Sequence, residues 1–323
     1  MSSTAETRPR LTPLEQARRG VGVGGPGAAR TRRRRGGRRR AVTLLLLIVP
    51  SAFLLVAIHG YPLVYAAIQA THNGNLLQVG QFVGLQNFAN VLSNPALWRA
   101  ALFTLIFTVS GVFGSWVIGL SLALLLRRRV AIRGFFRTLL LLPWVVPVVV
   151  STTAWNWLVA TPNSPVPLLF KGLGWGTPLF LADPTLAAIT VCLFKVWVSF
   201  PFMMLMASSA LASVDASLDE AARVDGASSR QILFQITLPM IAKSTYVSWI
   251  LMAIFCINDF PSVFLLTAGG PVGSTTTLVV YAYQAVFANF QTGPGVAVAF
   301  LMTLLSIVIA LVLYRQIRRS STP

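Results

Sequence analysis

Apolar residues in this chain are gathered into six long runs, Ala41–Ile68, Ala100–Leu126, Thr138–Ala160, Thr185–Ser213, Ser244–Thr267 and Gly295–Tyr314. A helix crossing the hydrocarbon core of a bilayer needs ~20 such residues, and each run is long enough. In lipid the backbone must satisfy its own N–H and C=O groups, which within a single run only a helix achieves. The pattern predicts an all-α polytopic membrane protein with six transmembrane helices.

The polar stretches between the runs set the orientation. Segments 1–40, 127–137, 213–243 and 315–323 hold twelve, five, three and three basic residues, whereas 69–99 and 161–184 hold only Arg99 and Lys171, and 268–294 holds none. Lys and Arg accumulate on the cytoplasmic side. Both termini are therefore expected in the cytoplasm of a multi-pass protein of the cell (inner or plasma) membrane. The outer loops are too short to form binding domains. In the first, Gly84 opens a short interfacial helix to Leu92; the second carries Pro162, Pro165, Pro167 and Pro178 and reads as irregular. In the second span, Gly111, Ser115, Gly119 and Ala123 recur every four residues and form a small-residue face for close packing, within the chain or with a partner.

Composition agrees with lipid as the solvent: of 323 residues, 55% are hydrophobic and 11% charged, against about a quarter charged in soluble domains. Of the +18 net charge, residues 1–40 contribute twelve Arg and two Glu, or +10. This Gly/Ser/Pro/Arg segment lacks the apolar residues that offset ordering entropy, and it reads as a disordered basic tail. Arg32–Arg40 suits anionic lipid head groups, which is preferred to a nucleic-acid role. The run beginning at Ala41 exceeds the ~7–15 residues of a signal-peptide core and is read as an uncleaved span. Cys192 and Cys256 lie inside apolar runs, and His59 and His72 are not spaced as ligands, so no metal site, disulfide framework or catalytic centre is expected.

The segment 213–243 is longer than a connection between two spans requires. It holds Asp215, Asp219, Glu220 and Asp225, four of the chain's eight acidic residues, interleaved with Arg223 and Arg230. Asp215 or Ser217 can cap a helix running to Val224, and Ser217 with Glu220 has the spacing of a capping box. Gly226 stands where a helix ends in a left-handed residue. Ser228 or Ser229 can cap a second helix toward Thr237, and Pro239 suits the first turn of the fifth span.

These residues carry a resemblance. Glu220-Ala221-Ala222, Gly226 after three more residues, and Ile236-Thr237-Leu238-Pro239 after nine resemble the EAA loop of membrane subunits of binding-protein-dependent (type I) ABC importers; Asp225-Gly226-Ala227-Ser228 is similar to the carbohydrate-importer version. Trp197 with Pro201-Phe202, Asn258-Asp259-Phe260 with Leu266–Pro271, and Gly84–Phe88 resemble further stretches of that family, although Gln86 stands where an acidic residue is usual. The likeness covers roughly Ala41 to Arg319. It implies the type I importer transmembrane fold, with residues 100–315 as its transporter domain, and a loop that docks on a cytoplasmic ATPase. Glu220 would be a charged contact, Ala221 and Ala222 would permit close approach, and Gly226 would make the turn, with Arg223, Asp225 and Pro239 in the same unit. The implied partners are a second permease subunit, two ATPase subunits and an external solute-binding protein. The chain has no G-x-x-x-x-G-K-[ST] run; it is expected to bind no cofactor, ATP being used by the partner.

Polar residues within spans mark pathways. Lys195 lies about ten residues into the fourth span, hence ~15 Å deep, and Asn258 and Asp259 lie in the outer third of the fifth. Lys195 and Asp259 either pair or line a cavity. Trp144, Trp197, Phe200 and Phe260 lie at comparable depth and suit the apolar faces of sugar rings, the sugar assignment itself resting on the resemblance; Trp155 and Trp157 fit an interfacial belt. The rival reading, a stand-alone secondary transporter or channel, calls for several intramembrane carboxylates and repeats; the chain offers Asp259 and no repeat.

Overall fold

A computed structural model describes residues 26–127 and 132–319. The chain divides into two compact units, 1–65 and 66–323.

In the first unit, α1 (Pro26–Ala70, continuing into the second unit) begins fifteen residues ahead of the expected span. Residues 26–40, read from composition as disordered, belong to this helix. Arg is among the better helix formers, and adding residues to an existing helix avoids the cost of nucleation. Residues 1–25 of the basic tail, Arg128 and Arg129, and 320–323 of the C-terminal tail lie outside the described residues.

In the second unit, Gly84 adopts φ +59° and turns the chain into α2 (Gln86–Ser93). The helix is stapled by Asn87 Nδ2, which donates to the Ala70 and His72 carbonyls at 2.9 and 3.0 Å. The second span, α3 (Pro95–Arg127), is long and continuous. The third is broken: α4 (Arg133–Val145) and α5 (Val148–Val159) meet at 91°. Pro147 donates no N–H and drives Val146 to an extended conformation at φ −66°, ψ 132°. The straight span expected over 138–160 is corrected accordingly. The second outer loop, expected to be irregular, contains α6 (Pro165–Gly172), with Pro165 at its first position. Asp183 Oδ1 accepts the Thr185 and Leu186 N–H groups at 2.9 and 2.8 Å and caps the fourth span, α7 (Pro184–Ala212).

The largest shift concerns the fifth span. After α8 (Ala216–Val224), a short α9 (Ser229–Gln231) runs through a widened turn at Ile232–Thr237 into α10 (Leu238–Ile257), and together they make one apolar helix from Ser229 to Ile257. The span expected over 244–267 therefore starts and stops earlier. Pro239 has no N–H for the Gln235 carbonyl, and a widened turn just ahead of it is a known accommodation. Beyond a break at Asn258 come α11 (Phe260–Thr267), then α12 (Leu278–Tyr283) with a second widened turn, and the sixth span, α13 (Thr292–Arg319). Among the described residues five helices are long and apolar enough to cross a membrane, and the bent α4–α5 pair makes a sixth.

The core forms around α7, which packs most extensively on α3 and also on α4, α10 and α11. Phe107, Val112, Phe194, Met203, Met252 and Val263 are buried together there. The small-residue face of α3 is the seam that permits this approach, and it lies within the chain. A Cβ on Gly119 would stand 2.6 Å from the Met204 backbone nitrogen, and one on Gly111 2.7 Å from Cys256 Sγ.

Candidate functional site

The segment after α7 is built by local hydrogen bonds. Asp215 Oδ1 accepts the Ser217 N–H at 2.9 Å and caps α8; that bond holds its carboxyl below the ordinary carboxylate range. Ser217 is thus inside the helix, and the capping box forms one helix later, where Ser228 and Gln231 bond reciprocally. Between them the Ala227 N–H reaches the Ala222 carbonyl at 2.9 Å and the Gly226 N–H the Arg223 carbonyl at 3.1 Å. This pair of bonds closes a helix on a left-handed residue, and Gly226 supplies it with φ +83°. No atom lies within 4 Å of where its Cβ would be, so glycine is required by the backbone and not by crowding.

The unit presents all its charges but that of Asp219 outward. Glu220, Ala221, Arg223, Val224 and Asp225 are exposed, whereas Ala222 is buried within the chain. Ala221 is therefore free for close approach by another protein, and Ala222 is spent on internal packing. Asp219 turns inward and pairs with Arg127 at the end of α3 at 3.1 Å. Sequence reasoning missed this tie. Arg127 looked like one more cytoplasmic cation, and no local signal links positions 92 apart. The unit borders a cleft of about 520 Å³ lined by residues that include Glu220, Arg223, Arg230 and Thr237. Pro239 stands exposed at the start of α10.

The pathway candidates do not form one site. Lys195 and Asp259 come together: Lys195 Nζ donates to Asp259 Oδ2 at 2.7 Å, with both side chains less than a tenth exposed. Asp259 lies in the break between α10 and α11, where its Oδ1 accepts the Ser262 N–H at 3.1 Å and caps α11. The carboxylate thus serves an ammonium and a helix N-terminus at once. The Phe107 ring lies 5.9 Å from Nζ. Trp197 packs with Trp155, ring centroids 5.7 Å apart, so Trp155 belongs to this cluster more than to a belt. Trp144 is on a separate patch, stacked on Phe202 at 5.3 Å. Phe260 stacks on Phe264 at 4.7 Å, Phe200 is buried, and the exposed Asn258 bonds back to the Ile254 carbonyl. The Leu266–Pro271 motif is a closed turn in which Gly269 takes φ +87° and Thr276 Oγ1 donates to the Gly269 carbonyl at 3.0 Å.

The chain is similar to known proteins in sequence and in fold. The profile of the family described as binding-protein-dependent transport system inner membrane component matches residues 115–322. The sulfoquinovosyl glycerol transport system permease protein of Agrobacterium fabrum is 32% identical over 272 residues, 83% of this chain and 88% of the relative. The trehalose/maltose transport system permease protein of Thermococcus litoralis is 30% identical over 239 residues, 74% and 81% of the two chains. Among solved structures, a chain of a bacterial ABC transporter involved in import of the acidic polysaccharide alginate superposes with a TM-score of 0.76. It shares 20% identity, and the match covers 90% of this chain and all of that one.

Proposed function

The chain belongs to the family of binding-protein-dependent transport system inner membrane components, and from that premise we infer how it works. It is a membrane-spanning permease subunit of an ATP-driven importer, and it carries a sugar or sugar-like solute. The solutes of these two relatives, a sulfoquinovosyl glycerol and the disaccharides trehalose and maltose, are carbohydrates.

The observation that supports coupling is the helix–turn unit at Glu220–Gly226, which carries exposed charge just outside the spans. We propose that it lies in the cytoplasm with both termini, and that one of two ATPase subunits grips it. A second permease subunit completes the pathway, and an external solute-binding protein delivers the solute. ATP is bound and hydrolysed by the partner, and this chain holds no cofactor. A push on α8 has two routes into the spans. One is the Arg127–Asp219 pair to α3. The other is the helical run that begins at Ser229 and continues to Ile257. Both α3 and α10 bound the buried Lys195–Asp259 region, so displacement of α8 would rock the walls of the pathway. Trp197 and Phe260, both partly exposed, are proposed to meet the solute there, with Phe200 and the ion pair as framework, and Trp144 and Asn258 to meet it elsewhere along the pathway.

The test is a cross-link. A single cysteine at the exposed Ala221 should join the ATPase subunit in a way that nucleotide modulates, and uptake of the solute should stop once the link forms. A cysteine that never reaches an ATP-hydrolysing protein would sink the coupling role.

A further inference from the structure

A second basic site stands on the end of the helices that charge bias assigns to the cytoplasm. Arg127 of α3, Arg133 and Arg137 of α4, and Ser208 of α7 rim a pocket of about 210 Å³ whose floor is apolar, with Leu126 and Leu211. Arg127 shares its charge with Asp219. Arg133 and Arg137 are exposed, and among the described residues neither has an ion-pair partner. They stand four positions apart on one helix, a spacing at which like charges repel. The first turn of α4 adds to the positive field, because its cap position is Ile132, which offers no side-chain acceptor for the free N–H groups. Among the described residues, two guanidiniums without an ion-pair partner, a third shared with Asp219, and Ser208 thus line one small cavity.

The surroundings name the source of the anion. Phe135 and Phe136, 63% and 41% exposed, stand between the two arginines. Exposed rings beside arginines are the composition of a helix at the membrane–water boundary. Guanidiniums bind phosphate oxygens in bidentate fashion. We propose that this pocket holds the phosphodiester of an anionic phospholipid of the inner leaflet, its acyl chains lying along the apolar side of α4. The site shares Arg127 with the tie to Asp219 of α8, but it depends on the membrane reading alone and does not require the importer reading.

The test uses the full-length chain, purified in mild detergent with the subunits that accompany it, and native mass spectrometry with phosphatidylglycerol, phosphatidylcholine or inorganic phosphate added. Phosphatidylglycerol should be retained over phosphatidylcholine, and the Arg133→Gln/Arg137→Gln variant should lose that retention roughly thirtyfold, each of the two basic residues near a lipid surface being worth about 1 kcal/mol. The control Arg99→Gln/Lys171→Gln, which removes the same charge from the first turns of α3 and from α6, should retain it. Equal retention in the arginine variant, or of both lipids, overturns the proposal. Inorganic phosphate at millimolar concentration displacing the lipid and remaining bound overturns the lipid source and leaves a soluble-anion site. Should the double variant unfold early, Ser208→Val, which deletes only a hydroxyl, serves in its place with the same two outcomes.

Discussion

Lys195 and Asp259, sixty-four positions apart, meet at 2.7 Å inside the helical bundle. The contact exists because the fifth span ends at Ile257 and does not run on to Thr267. That break places Asp259 at the start of α11, where its second oxygen has a backbone partner.

Removing one partner of a buried pair strands the other charge, at a cost of about 3–5 kcal/mol, whereas replacing both by apolar groups is often near neutral. Lys195→Met alone and Asp259→Leu alone should therefore each lower thermal stability in detergent sharply. The double variant should recover most of the loss, less a residue for the lost α11 cap. Thermal unfolding of the three variants checks this; additive losses would mean that the two groups act independently.

Gly226 carries φ +83° in open space. A side chain there costs about 1–2 kcal/mol from backbone strain alone, concentrated in the α8–α9 turn. Gly226→Val should leave the spans folded, with helix content and expression close to the unaltered chain, while solute uptake and co-purification of the ATPase fall. Gly226→Asn, which tolerates the left-handed region, should retain more of both.

The α3–α7 seam responds differently. Gly119→Leu drives a side chain into the Met203–Met204 backbone, and overpacking of this kind costs about 1–3 kcal/mol. Expression and unfolding temperature should both drop. Gly114→Ala should do less harm, since the atoms nearest its Cβ belong to the Val196 side chain and not to backbone.

Orientation is open to labelling. In a background lacking Cys192 and Cys256, a cysteine at Ser229 should react with a membrane-impermeant maleimide only after the cells are opened. A cysteine at Lys171 should react in intact cells. The reverse pattern would invert the topology read from the Lys and Arg bias.

The helix–turn unit from Ala216 to Gly226 was largely legible because its logic is local. Capping side chains, a glycine at the left-handed position and the proline that follows act within a few residues of themselves. Even so, Asp215 won over Ser217 as the cap of α8, and the box moved to Ser228–Gln231. Two caps three residues or fewer apart compete on geometry that the sequence does not encode. The break in the third span was less legible. Pro147 announces a disturbance, but the 91° angle depends on what the two halves pack against; α5 rests on α11, and α4 on α7.

Alone, the amino-acid order determined the helical class, the six apolar runs and the turn at Gly226. Each of these follows from the hydrophobic demand of the bilayer or from dihedral preferences acting over a few residues. Only the tertiary structure decided that Lys195 has Asp259 as its counter-ion, that Arg127 holds Asp219, that Ala222 faces inward while Ala221 does not, and that the Gly111–Ala123 face seals against α7 and α10. Those outcomes depend on which helices become neighbours and in what register. That is a property of packing between residues far apart in the chain, to which no local pattern is bound.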